Sequence, residues 1–86
     1  MASIAARFPE KLVTEFETRL GAKVESEKIT GTSRYSFLVI SDRFKKMRAA
    51  KRRDVVWKIV DESLTSDESF KIGIILPVDP SEVKER

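Results

Sequence analysis

The residues of this chain that could act on another molecule are cations, and they are bunched. Between Arg43 and Arg53 lie seven basic side chains, Arg43, Lys45, Lys46, Arg48, Lys51, Arg52 and Arg53, with no acid among them. Outside that window ten bases face fourteen acids, so the remainder carries about −4 although the whole chain carries +3. Positive charge confined in this way describes a surface that meets an anion, not a uniformly basic protein. Other chemistry is excluded by residue type. The chain has no cysteine and no histidine, which removes disulfides, thiol nucleophiles, imidazole bases and nearly all zinc, haem or iron–sulfur ligation by the chain itself. Gly21, Gly31 and Gly73 are too scattered for a phosphate-binding loop or a dinucleotide fingerprint. The acid pairs Asp61-Glu62 and Asp67-Glu68 fall at a helix end and in a loop, where solvated surface is the ordinary reading and general acid–base work would need a cleft. The expectation is a binding module and not an enzyme, with no cofactor and no metal.

The elements that must position these cations follow from periodicity. Eighty-six residues make one domain with one core, spanning 1–86. Residues 1–7 are expected to be a frayed leader. Phe8, Leu12, Phe16 and Leu20 recur every four residues, with Pro9 suited to a first helical turn and Gly21 to the position past the end; the pattern predicts a helix over 9–20. Residues 22–30, AKVESEKIT, alternate poorly and are heavily charged, as a protected edge strand would be. After a turn at Gly31, Tyr35, Phe37 and Val39 share one strand face and Leu38 and Ile40 the other, so this second strand is expected in the centre of the sheet, forming an antiparallel hairpin with the first.

Ser41 and Asp42 can each cap a short turn before the basic segment. Val56, Val60 and Leu64, with Val55 and Ile59 beside them, then predict a helix beginning near Arg48 and ending between 63 and 66, followed by SLTSDES as loop. FKIGIILPV reads as a third strand burying Phe70, Ile72, Ile74 and Leu76, closed by Pro77. A strand, helix, strand sequence predicts a crossover that sets the second and third strands parallel. Asp79-Pro80-Ser81-Glu82 places an N-cap carboxylate, a proline at the first helical position and Glu at the third, the signal of a short last helix of about one turn. The fold class is α+β, in the order α-β-β-α-β-α, with a three-stranded mixed sheet. No apolar run reaches signal-peptide or membrane-spanning length, so the expected compartment is the cytoplasm.

This order, and the run Phe44, KKMRAA, Lys51-Arg52-Arg53-Asp54, Val55, Val56, Trp57, resembles the BolA-like family, whose fold is similar to the type II K-homology domain. Arg52 matches the first Arg of the family's Arg-His-Arg in register with Phe44 and Trp57. Arg53 stands where the family has His, Asp54 where it has the second Arg, and FKIGIILPV has no counterpart of the family's last-strand His. The resemblance implies partnership with a monothiol glutaredoxin around a shared iron–sulfur cluster, or nucleic-acid binding through the basic turn and helix. A chain with no His or Cys has no usual ligand to offer the cluster, so cluster sharing in its usual form is not expected, whereas the basic turn is kept and enriched.

Cations at a helix N-terminus oppose the macrodipole by about 0.3 to 1 kcal/mol each, so a crowd of them there is poor design for stability alone. The same terminus attracts phosphate. Where the type II K-homology domain has a Gly-x-x-Gly clamp, this chain has Lys45-Lys46-Met47-Arg48, which favours side-chain over backbone contact with phosphates. Nucleic acid, DNA or RNA, bound through Arg43, Lys45, Lys46, Arg48, Lys51, Arg52 and Arg53 is the favoured reading. An acidic protein partner, such as a glutaredoxin docked without cluster ligation, and a merely solubilising basic face are the alternatives. Trp57 either closes the core, the commoner role, or stacks a base at the patch edge.

Overall fold

The computed structural model describes residues 8–83; the expected leader at 1–7 lies outside them. Helix α1 runs Phe8–Leu20 and buries Phe8, Leu12, Phe16 and Leu20, the four-residue stripe legible in the sequence. Gly21, at φ +59°, lets the chain leave the helix in the left-handed region that a Cβ would penalise. Strand β1 (Lys23–Lys28) and strand β2 (Tyr35–Ile40) pair antiparallel around a turn in which Gly31 takes φ +82°. Ser41 then caps a 3₁₀ turn, Asp42–Lys46, and helix α2 follows over Ala49–Ser63. A single helical turn, α3 (Ser66–Ser69), leads to strand β3 (Ile72–Val78), and a closing 3₁₀ turn occupies Pro80–Glu82.

The sheet order is β1-β2-β3, with β2 and β3 parallel. β2 is therefore central and the sheet mixed, as the crossover argument requires. The core fills one face of it: Phe37 and Val39 of β2 meet Leu12 and Phe16 of α1 and Val56, Ile59 and Val60 of α2 in one cluster. Phe8 meets Tyr35 and Phe37 edge to face, with ring centroids 5.5 and 5.9 Å apart, the orientation that aromatic quadrupoles prefer. Lys11 pairs with Glu68 at 3.0 Å and Arg19 with Glu62, tying α1 to α3 and α2.

Two elements correct the sequence reading. SLTSDES is not all loop: the Thr65 hydroxyl accepts from the Glu68 N–H while the Glu68 carboxylate accepts from the Thr65 N–H, a reciprocal cap that nucleates α3. The larger correction is the buried face of β3. Tyr35 pairs with Ile72, but Ser36 pairs with Ile74, so Gly73 is an extra residue, a β-bulge. Because side chains alternate with period two, one inserted residue turns every later side chain over. Ile72 and Ile75 are buried, while Ile74 and Leu76 are 46% and 48% exposed. Phe70, expected in the core, lies before β3 begins and is 74% exposed. Glycine suits the bulge because a Cβ at 73 would stand 2.5 Å from Ile29 Cδ1.

Candidate nucleic-acid interface

The basic segment is built on two anchors. Phe44 is fully buried and fixes the 3₁₀ turn to the core. Ser41 is buried too: its Oγ donates to the carbonyl of Leu20 at 2.8 Å and accepts from the Arg43 N–H at 3.1 Å, joining the end of α1 to the start of the turn. With both ends held, Arg43, Lys45 and Lys46 are exposed on the turn, Arg48 is exposed at the N-cap of α2, and Lys51 and Arg53 are exposed on its first turns. Among the described residues none of these six makes an ion pair.

Arg52 stands apart from them. Its side chain is only 12% exposed, and its guanidinium is engaged within the fold. Nε donates to the carbonyls of Phe44 (3.1 Å) and Met47 (3.0 Å), and Nη1 to the carbonyl of Pro77 (3.2 Å) and to Glu82 Oε1 (2.7 Å). Nη2 completes the fork with Asp79 Oδ2 at 3.5 Å, and the group lies 5.9 Å from the centre of the Phe44 ring. Arg52 therefore joins the basic turn, α2, the end of β3 and the closing turn, with four of its five N–H donors committed to these internal partners. The sequence carried the signal: Arg52 precedes Val56 by four residues and Val60 by eight, which places it on the inward stripe of α2. The partners it finds there, Asp79 and Glu82, were legible as a cap and not as members of this network.

The closing turn is charged and rigidly capped. Asp79, 5% exposed, accepts from the Ser81 N–H and hydroxyl, and Glu82 accepts from the Asp79 N–H. The Ser81 hydroxyl, with Arg52 and Lys45 adding, holds the Asp79 carboxyl below its usual range. The Arg52 guanidinium and the Asp79 N–H do the same for Glu82.

The N-terminus of α2 carries no side-chain cap and no acid in its first turn. Its first amides thus have no side-chain acceptor among the described residues, beside Arg48, Lys51 and Arg53. Beside it lies an open groove of about 370 Å³ between α2 and the outer edge of β3, floored by Val56 and Ile75 and rimmed by Met47, Arg53, Trp57 and Leu76. Trp57 is half-buried: it packs on the core with one part of the indole and borders the groove with another. One acid of each sequence-adjacent pair is engaged elsewhere, Glu62 with Arg19 and Glu68 with Lys11 and its own cap.

An α-β-β-α-β chain with a mixed sheet, a basic turn before its second long helix and a capped turn after the last strand has solved counterparts. The chain superposes on BolA1 from Arabidopsis thaliana with a TM-score of 0.72 at 15% identity, covering 93% of this chain and 100% of that one. The fold is that of the BolA proteins. The BolA domain of SufE1 from Arabidopsis thaliana gives a TM-score of 0.67 at 18% identity over 94% of this chain and 100% of that one. A Bol-like protein from Babesia bovis gives 0.62 at 13% over 95% and 93%. No protein-family model matches the chain, and no curated protein matches it significantly. The shared iron–sulfur cluster associated with BolA-like proteins does not fit this donor set. There is no His or Cys anywhere, and no group of three or more potential metal ligands exists among the described residues. Nor is any described helix long and apolar enough to cross a membrane.

Proposed function

We propose that this BolA-like domain is a non-enzymatic binding module that holds nucleic acid through its phosphates, using Arg43, Lys45, Lys46, Arg48, Lys51 and Arg53. The observation that carries the reading is that six exposed cations, none of them ion-paired among the described residues, lie on the turn before the uncapped N-terminus of α2 and on its first turns. A stabilising arrangement would place acids there; this one favours an incoming anion. Arg52 belongs to the scaffold of the site and sets the turn against α2 and β3. The groove beside the patch admits a single base or ribose between Trp57 and the β3 edge more readily than a duplex, while the cations track the backbone. Little sequence preference follows, since the chain contains no Asn or Gln to read adenine by paired hydrogen bonds.

The test is a titration of isotope-labelled protein with short single-stranded and duplex DNA and RNA, followed by amide shifts at two salt concentrations. Shifts are expected to centre on Lys45, Lys46, Arg48, Lys51 and Arg53, with affinity falling steeply as salt rises. Each neutralised phosphate adds about 0.7 to 0.9 to the logarithmic slope. No binding in low salt at sub-millimolar protein would sink the reading and leave an acidic protein partner as the occupant of the patch.

A further inference from the structure

The helices cover only one face of the sheet. On the other, the register places Leu38 beside Leu76, and Ile40 and Ile74 lie in the flanking rows. β2 and β3 are thus apolar on both faces along the parallel pair. Parallel pairs with that composition are ordinarily covered on both sides, yet Ile74 and Leu76 are about half exposed, and among the described residues no helix packs over them. Across the sheet Glu25 lies beside Leu38 and Glu27 beside Ser36, both exposed and outside the ion pairs of the described residues. Glu25, Glu27, Leu38 and Leu76 surround a shallow depression of about 320 Å³.

We propose that this face docks an amphipathic helix of a partner protein, apolar along one side and carrying Lys or Arg on the flank that meets β1. The shape follows from the sheet. Three strands spaced about 4.8 Å apart make a surface about 10 Å wide, the diameter of one helix. The charge follows from the asymmetry, because leucine and isoleucine lie on β2 and β3 and the carboxylates lie on β1. Lys23, in the row with Ile40, marks where the acidic strip ends and sets which way along the strands the partner's cations are placed. An anionic membrane is repelled by the same carboxylates. The helices of a second copy do not fit, since the apolar stripes of α1 and α2 are buried in their own core. This surface lies on the opposite side of the sheet from α2 and shares only Leu76 with the rim of the groove beside the basic turn, so it does not depend on the nucleic-acid reading.

The experiment is a display selection of random 16-residue peptides on the whole chain, counter-selected against a Leu38→Lys, Leu76→Lys variant whose core resonances are unchanged. The expected consensus has large apolar residues at i, i+3 or i+4, and i+7, with Lys or Arg on one flank. Synthetic peptides of that consensus should shift the signals of Leu38, Ile40, Ile74 and Leu76. Glu25→Lys with Glu27→Lys, and separately Leu76→Ser should the double-lysine variant fail to fold, should weaken them about ten-fold or more. Absence of enrichment over the counter-selection, an acidic or proline-rich consensus, or shifts confined to Arg43–Arg53 overturns the proposal. So does a sedimenting dimer that Leu76→Ser abolishes, which would assign the face to a second copy.

Discussion

Arg52 Nη1 donates to the carbonyl of Pro77 at 3.2 Å. In a parallel ladder alternate residues turn their backbone groups outward; Val78 accepts from the Ser41 N–H, so Pro77 faces the open edge. Proline has no N–H to leave unpaired there, and Arg52 takes the carbonyl, so this end of the edge offers a passing strand nothing to pair with. Replacing Arg52 with Ala strands this carbonyl and that of Met47 and takes the cation from Asp79 Oδ2, while the Phe44 carbonyl keeps the Met47 N–H and Asp79 Oδ1 keeps Ser81. The expected loss is about 2 to 4 kcal/mol in denaturant unfolding, with Arg52→Lys recovering less than half because one ammonium cannot reproduce the fork. A loss under about 1 kcal/mol would return Arg52 to the surface cations.

The surface cations should behave in the opposite way. Replacing Lys45, Lys46 and Arg48 together by Ala is expected to flatten the salt dependence of nucleic-acid binding by roughly two to three units. Each exposed substitution should change stability by less than about 0.5 kcal/mol. The pair of measurements separates them from Arg52, whose lysine variant should lower stability and leave the slope nearly as it was.

Gly73 and Ile29 form a second testable pair. A methyl group at 73 meets Ile29 Cδ1 at 2.5 Å, the tip of a side chain that can give way. Gly73→Ala is expected to cost about 1 kcal/mol in the wild-type background. It should cost less in an Ile29→Val background, where that carbon is gone, and a double-mutant cycle measures the coupling. Equal costs in both backgrounds would show that the bulge backbone, not the contact, requires glycine.

Acid should loosen the closing turn. Asp79, held low first by the Ser81 hydroxyl, and Glu82, held low first by Arg52, have folded pKa values below their unfolded ones. The unfolded chain then takes up protons sooner as pH falls. Their contribution is present in full above the ordinary carboxylate range and is lost as pH drops through it towards the lowered folded values. Stability measured from pH 7 downward should fall more steeply for the wild type than for Asp79→Asn or Glu82→Gln; identical slopes would remove these carboxylates from the acid response.

Much of the fold was legible because its signals are local. The four-residue stripe of α1, the glycines ending α1 and turning the hairpin, and the Asp79-Pro80 cap each depend on neighbours within one or two turns of chain, and all are found where the sequence places them. The Thr65–Glu68 cap was equally local, and its spacing was readable; a polar tract simply looked more like loop. By its own composition the sequence also determined that the chain's free positive charge is concentrated in one segment and that soft and imidazole ligands are absent. What only the tertiary structure decided is long-range. The bulge at Gly73 arises from pairing with β2 and clearance from Ile29, residues far away in sequence, and it reversed the buried face of β3. Arg52 is spelled like its neighbours Lys51 and Arg53, but the helical turn carries it inward, where Pro77, Asp79 and Glu82 arrive from the other end of the chain. A desolvated fork of hydrogen bonds needs all its partners in place at once, and only the folded chain brings them together.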